Sequence, residues 1–340
     1  MKLRIFLLAL LALSLGANAQ NQIDKQGRKQ GHWIRTDNNG AKIFEGDFKD
    51  GQETGTFTYY YPNGNVRIKN VYTVPGKVCN HEAYDEQGHL LAKGVYNQKN
   101  RDGEWHIFDE QGRQVKLATY KMGIKQGPTV IFTSTGDTAE YTTWRDNRRD
   151  GRWWKRIGTK GYITGTFRNG GLEGKLVEYD DNGLLCREGY YKNGDKEGSY
   201  RYFENNVLTI DETWKAGSLQ DRKVLISTPE RLYVSIFSIA YVYPKGKNSL
   251  SANVYMMDGK MYKCTETVAD IHARIGMDIF QLVDKKNNVI ANTACLQGLT
   301  KDAEGRQVLW LEPNLPFSIF PDEDCIKMIK SIQREDVMDE

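Results

Sequence analysis

The chain repeats itself every 24 residues, and that period constrains its fold more than any single motif does. Gly31, Gly55, Gly103, Gly127, Gly151, Gly174 and Gly198 stand 24, 48, 24, 24, 23 and 24 residues apart. Cys79 falls at the midpoint of the doubled interval, so the slot persists there with another residue in it. Seven positions before each slot from Gly55 onward stands an aromatic: Phe48, Tyr72, Tyr96, Tyr120, Trp144, Phe167 and Tyr191. Aromatics make up 11% of the chain, so seven in seven slots is not a product of composition. Self-similarity of this length marks a repeat architecture, in which each unit buries its apolar face only by stacking on its neighbours.

The unit reads as two antiparallel strands and two turns. Phe48-Lys49-Asp50-Gly51 leads to Gly55-Thr56-Phe57 and then Tyr61-Pro62-Asn63-Gly64. The stretch from Tyr191 through Gly194 to Gly198-Ser199-Tyr200 and Phe203-Glu204-Asn205-Asn206 has the same form, as does Phe167 to Gly183. Asn-Gly and Asp-Gly supply the positive φ angles of tight hairpins. The segments between them are rich in Tyr, Phe, Trp, Thr and Val, which is strand composition.

This pattern, aromatic-x-x-Gly-x-x-x-Gly-x-aromatic followed by an Asn/Gln-Gly turn, resembles the MORN family in its bacterial variant form. The resemblance covers residues 24–217, eight to nine units. It implies a mainly β fold, an elongated single-layer antiparallel sheet of repeated hairpins, and a scaffolding role. Some eukaryotic members are proposed to touch acidic lipids, and some bacterial relatives are labelled antitoxins. Three units depart from the pattern: Gly76 comes one place late, ahead of Cys79, Lys99 replaces the first glycine of the Tyr96 unit, and Asn147 does so in the Trp144 unit, with an altered turn. The first and last units are degenerate, as capping repeats are.

From Lys223 the period stops, which divides the chain into residues 20–222, the array, and 223–340, a small β-rich domain expected to be a sandwich or half-barrel. Leu232 to Tyr243 reads as one long strand. Asn253 to Met257 with Lys260 to Thr265, and Ile279 to Val283 with Val289 to Thr293, read as hairpins, and Val308 to Leu311 as a further strand. A short amphipathic helix follows Pro321-Asp322, with Ile326, Ile329 and Ile332 on one side. Arg334 to Glu340 reads as an acidic tail.

Residues 1–19 have the form of a secretory signal: Lys2 and Arg4, an apolar run from Ile5 to Leu15, then Ala17-Asn18-Ala19. The alternative, a membrane anchor, is disfavoured because that run of 11 residues is short of the roughly 20 needed to span a bilayer. The expectation is a chain exported to the periplasm, cell surface or extracellular space. Lys+Arg minus Asp+Glu is 47 − 44 = +3, and without Lys2 and Arg4 it is 45 − 44 = +1. Bulk charge therefore does not mark a nucleic-acid or other polyanion binder. Cys79, Cys186, Cys264, Cys295 and Cys325 form no C-x-x-C motif, and their odd number encodes no disulfide framework. One pair among Cys264, Cys295 and Cys325 is open to bridging.

Little in the chain carries chemistry. His81-Glu82-Ala83-Tyr84-Asp85 begins like a zinc-protease motif but lacks its second histidine. Gly170 to Lys175 has the wrong spacing for a phosphate loop. The acid pairs Asp85-Glu86, Asp109-Glu110 and Asp180-Asp181 recur at one hairpin slot, where side-chain-to-backbone turn bonds account for them. No cofactor or metal motif is present. An enzyme reading rests on Asp270, His272, Asp278 and Cys264 in the C-terminal part, at spacings that match no family pattern.

One cluster stands out. Arg145, Arg148, Arg149, Arg152, Trp153, Trp154 and Arg156 lie in a twelve-residue segment of net charge +4. Cations beside aromatics suit an anionic partner: an acidic lipid, an acidic glycan or an acidic protein surface. The leading expectation is a non-catalytic repeat protein that acts as scaffold or binding surface for a protein or envelope component. The alternatives are a carbohydrate-binding module using sheet aromatics and the C-terminal enzyme. Oligomeric state is left open.

Overall fold

The structure, a computed structural model, describes residues 20–246, 249–276, 279–313 and 318–335, the last four by backbone alone. Residues 1–19, Asp278, the end of the acidic tail and the side chain of Ile332 lie outside the described residues. The chain forms two compact units. One runs to Ile157 and takes in Thr164–Gly171; the other comprises Gly158–Ile163 and the chain from Leu172.

In the first unit the strands Lys29–Thr36, Lys42–Lys49, Gln52–Tyr60, Val66–Val74, Val78–Tyr84, Leu90–Asn97, Asn100–Phe108, Gln114–Lys121, Ile124–Phe132, Thr138–Arg145 and Arg148–Ile157 follow one another in space as in sequence. Each pairs antiparallel with its predecessor. The second unit continues the same pattern from Gly174–Tyr179 through Leu185–Lys192, Asp195–Glu204, Val207–Lys215 and Ser218–Ile226 to Leu232–Ser235. The repeated antiparallel hairpins expected from the period are present.

Two kinds of turn alternate. The first has two central residues, both at positive φ: Asp50 at 53° with Gly51 at 78°, or Asn193 at 55° with Gly194 at 97°. That geometry matches the right-handed twist of the flanking strands. Lys99 (66°) and Asn147 (63°) hold the same conformation where the first glycine is missing, and the altered turn of the Trp144 unit is its second one, shortened to three residues, 158–160. The second turn is closed by its first acid. Asp109 Oδ1 accepts from the N–H groups of Gln111 (3.0 Å) and Arg113 (2.9 Å), and Asp85 and Asp180 do the same. The paired acids are therefore divided in role: Asp181 instead accepts from Lys160 N (2.7 Å) and Gly161 N (2.8 Å).

Down the middle of one face of the first unit runs a transverse row joined by register: Trp33–Gly46, Phe57–Asn70–His81–Gly94, then Trp105–Ala118–Thr129–Thr142–Trp153. Large and small residues alternate along much of it. Phe57 and Trp105 are each only 1% exposed, because each ring lies flat on a glycine of the preceding strand. A Cβ on Gly46 would meet Phe57 at 2.2 Å, and one on Gly94 would meet Trp105 at 2.5 Å. In the second unit Tyr200 covers Gly189 in the same way, at 2.0 Å. The ring two places after the glycine slot is thus the deeply buried one. Of the aromatics seven places before the slot, only Phe48 is buried, and the others are half-buried.

Beyond Ile226 the second unit builds a five-stranded antiparallel sheet in the order Met261–Cys264, Ala252–Met256, Ile239–Pro244, Val289–Asn292, Phe280–Asp284. Both expected hairpins are in it. The expected long strand from Leu232 is broken by a 3-10 turn at Ile236–Ser238, which separates Leu232–Ser235, paired with the array, from Ile239–Pro244. One face of the sheet packs against Val224, Ile226 and helix α1, Val268–Ile275. The other packs against helix α2, Glu323–Glu335, and the hairpin Leu296–Lys301/Gln307–Leu311. The domain is therefore a sheet with a helix on each face rather than a sandwich or half-barrel. The sequence reading missed α1, a helix of 8 residues, although Thr267 and Asp270 form a capping box and Gly276 a left-handed C-cap.

All five cysteines are free thiols, so the bridge left open among Cys264, Cys295 and Cys325 is absent. Cys264 and Cys295 lie in different core clusters, and Cys325 Sγ donates to the Leu282 carbonyl at 3.1 Å.

Candidate ligand-binding face

Two residues before the glycine slot stands a cation in most units, and the fold gives it a fixed seat. In four of the first-kind hairpins this residue pairs across the turn with the half-buried aromatic: Tyr96↔Arg101, Tyr120↔Lys125, Trp144↔Arg149 and Tyr191↔Lys196. Its head then leans over the rings. Arg101 lies 4.6 Å from the Trp105 ring and 5.5 Å from Tyr120. Lys125 lies 4.2 Å from Trp144, and Arg149 lies 5.2 Å from Phe167 and 6.0 Å from Trp144. Cation and ring alternate along one line: Arg101, Tyr120, Lys125, Trp144, Arg149, Phe167. Lys29 repeats the seat over Trp33 and Phe48, 4.7 Å from each. In the second unit Lys196 sits 4.0 Å over Tyr200. An ammonium or guanidinium on a ring face is attracted by the ring quadrupole while keeping one side open to solvent.

The ring-bearing side of the first unit is also poor in acid. Ring contact or register places seven strand cations there: Lys29, Arg101, Lys125 and Arg149, with Arg35, Lys116 and Lys155. Two carboxylates share it, and each is held by an aromatic donor: Glu53 by the Tyr72 hydroxyl, Glu140 by Trp153 Nε1 at 3.1 Å. By strand alternation Glu45, Asp47, Glu82, Asp102, Glu104 and Asp150 project to the other side.

The basic cluster singled out in the sequence does not form one patch. Its strand alternates across the sheet, so Arg149 and Trp153 join the ring side, where Trp153 meets Phe167 edge-on at 5.6 Å. Trp154 and Arg156 share the other side, with the guanidinium 5.9 Å from the ring. Arg145 and Arg148 pair at the turn, Arg145 reaches Asp150 at 3.7 Å, and Arg152 is exposed. Lys29, Arg101 and Lys125 were not singled out from the sequence. Their signal was there, since Lys29, Lys77, Arg101, Lys125, Arg149 and Lys196 all stand two before a slot, with Glu53 and Leu172 as exceptions.

Where the repeat departs from itself a cleft of about 240 Å³ opens, lined by Glu53, Asn70, Tyr72, Lys77, Cys79 and Tyr96 among others. Here Glu53 takes the cation slot, Cys79 the glycine slot and His81 the buried-ring slot. His81 Nδ1 lies 2.8 Å from Asn70 Oδ1, and burial together with nearby Arg101 lowers its pKa. Burial and the bond to Glu53 hold the Tyr72 phenol well above its ordinary value, and burial raises the Cys79 thiol.

No family model matches the chain, and no curated protein is similar to it in sequence. Among the described residues no helix is long and apolar enough to cross a membrane. Of the residues behind the enzyme reading, Asp270 closes the α1 capping box, accepting from Thr267 N (3.0 Å) and Oγ1 (2.7 Å). Burial pushes the Cys264 thiol up to about 11, so little of it is thiolate near neutrality.

Proposed function

We propose that this is an exported, non-catalytic repeat protein whose ring-bearing sheet face is a binding surface for an anionic partner in the envelope or outside the cell. The line Arg101–Tyr120–Lys125–Trp144–Arg149–Phe167 carries this reading. Cations already seated on rings lose little freedom when a partner arrives, and preorganised contacts waste the least binding free energy. The resemblance to MORN repeats supports a scaffolding role, and the composition of residues 1–19 supports export. The predicted residues Arg149 and Trp153 belong to this surface. Arg145, Arg148, Arg152, Trp154 and Arg156 stand at the turn or on the other side, where they serve a second contact.

Co-sedimentation with envelope extract tests the reading. The chain should bind at low ionic strength and weaken steeply with salt, because exposed charges are screened over about 8 Å at physiological ionic strength. Replacing Arg101, Lys125 and Arg149 together by Gln should abolish association while the circular dichroism spectrum stays native. Association that ignores both salt and this substitution rules the surface out.

A further inference from the structure

Resting on that reading, we infer that the anionic partner is a linear acidic polysaccharide with one carboxylate on every second sugar ring, lying across the strands along the cation line. Two observations converge. Arg101, Lys125 and Arg149 occupy the same slot of consecutive units, each two strands beyond the last. Neighbouring charges along the line are therefore about 10 Å apart, twice the spacing of adjacent strands. That is the length of two extended sugar rings, so a carboxylate on alternate rings meets one cation per unit without compressing the chain. A fluid lipid surface imposes no spacing and gains nothing from cations held at fixed intervals.

The second observation is the rings. Tyr120 and Trp144 lie between the cations and Phe167 beyond the last of them, all three half-buried, leaving aromatic surface open along the line. The apolar C–H face of a pyranose packs on such surface, whereas a lipid phosphate has no counterpart for it. Glu53 interrupts the cation series one slot after Lys29, so the ligand's register ends before that unit.

Affinity electrophoresis of the full chain through gels holding hyaluronan, polygalacturonate or dextran, each at low and physiological salt, tests this. Flotation with phosphatidylglycerol vesicles and titration with a single-stranded oligonucleotide complete the set. Hyaluronan carries a carboxylate on alternate rings, polygalacturonate on every ring and dextran on none. Hyaluronan should retard the chain at least tenfold more strongly than polygalacturonate at equal carboxylate concentration, and dextran not at all. R101Q/K125Q/R149Q should lose that retardation, while K69Q/K93Q/K121Q, with the same charge change on the other side of the sheet, keeps most of it. Equal retardation by both acidic polymers overturns the alternate-ring assignment, and binding to vesicles or oligonucleotide but to neither polymer overturns the polysaccharide assignment; either leaves the anionic surface standing. Failure to bind any anionic probe at low salt overturns both.

Discussion

Gly94 has no side chain because Trp105 already occupies the space, its ring 2.5 Å from where a Cβ would stand. Gly94→Ala must displace an indole that is 1% exposed, and overpacking of this kind costs about 1–3 kcal/mol. Trp105→Ala should cost about 3–5 kcal/mol, the range for removing a fully buried large aromatic. Tyr120→Ala, at a half-buried ring, should cost clearly less. Urea melts of the three variants check the order, and a Tyr120→Ala loss equal to that of Trp105→Ala would refute it. A gain is available at Lys99, which holds φ at 66° in a two-residue turn. A left-handed conformation costs an L-residue about 1–2 kcal/mol, so Lys99→Gly should raise stability by about 1 kcal/mol in the same assay.

Among the elements, α1 is defined by its ends. Thr267 accepts from Asp270 N at 3.1 Å while Asp270 accepts in return, so Thr267→Ala should cost about 1 kcal/mol. The second kind of hairpin turn depends on buttressing acids. Asp181, bonded to the backbone N–H groups of Gly161 and Lys160, is held down to about 2 from 3.8. A carboxyl with a lowered folded pKa contributes stability that is complete above its unfolded value and lost as pH falls through the folded one. Melting temperature should therefore drop between about pH 4 and pH 2, and Asp181→Asn should lower the neutral-pH value while making the acid limb shallower. An acid limb identical in wild type and variant would assign the transition to other carboxyls.

At the scale of the whole molecule, a formal charge of +3 conceals how charge is sorted. In the first unit the ring-bearing side carries seven strand cations against two aromatic-bound carboxylates. Its interactions should accordingly depend on salt more steeply than the composition implies. The thiols follow the same logic of burial. Cys264, Cys295 and Cys325 are each pushed up to about 11, with burial the leading cause. A thiol reagent at pH 8 should label the native chain slowly, reach five cysteines after denaturation, and find the melting temperature indifferent to reductant. A melting temperature lowered by reductant would show a bridge that the structure lacks.

The 24-residue period alone determined the hairpin array, because a glycine needed for positive φ and an aromatic needed for packing recur at fixed distances along the chain. Strand composition determined the two C-terminal hairpins for the same local reason. The small-residue series through Gly46, Gly94 and Gly189 was equally periodic, yet its purpose is a ring from the next strand, and that contact exists only once register is set. The basic cluster around Arg149 failed as a single patch because neighbours in a strand point to opposite sides of the sheet. Sequence proximity gathered seven residues that the pleat then divided. Arg101, Lys125 and Arg149 are 24 residues apart and became one line only through hydrogen bonding between strands. Local chemistry was legible in the sequence; which side of the sheet each charge occupies was decided by the pleat and its bulges.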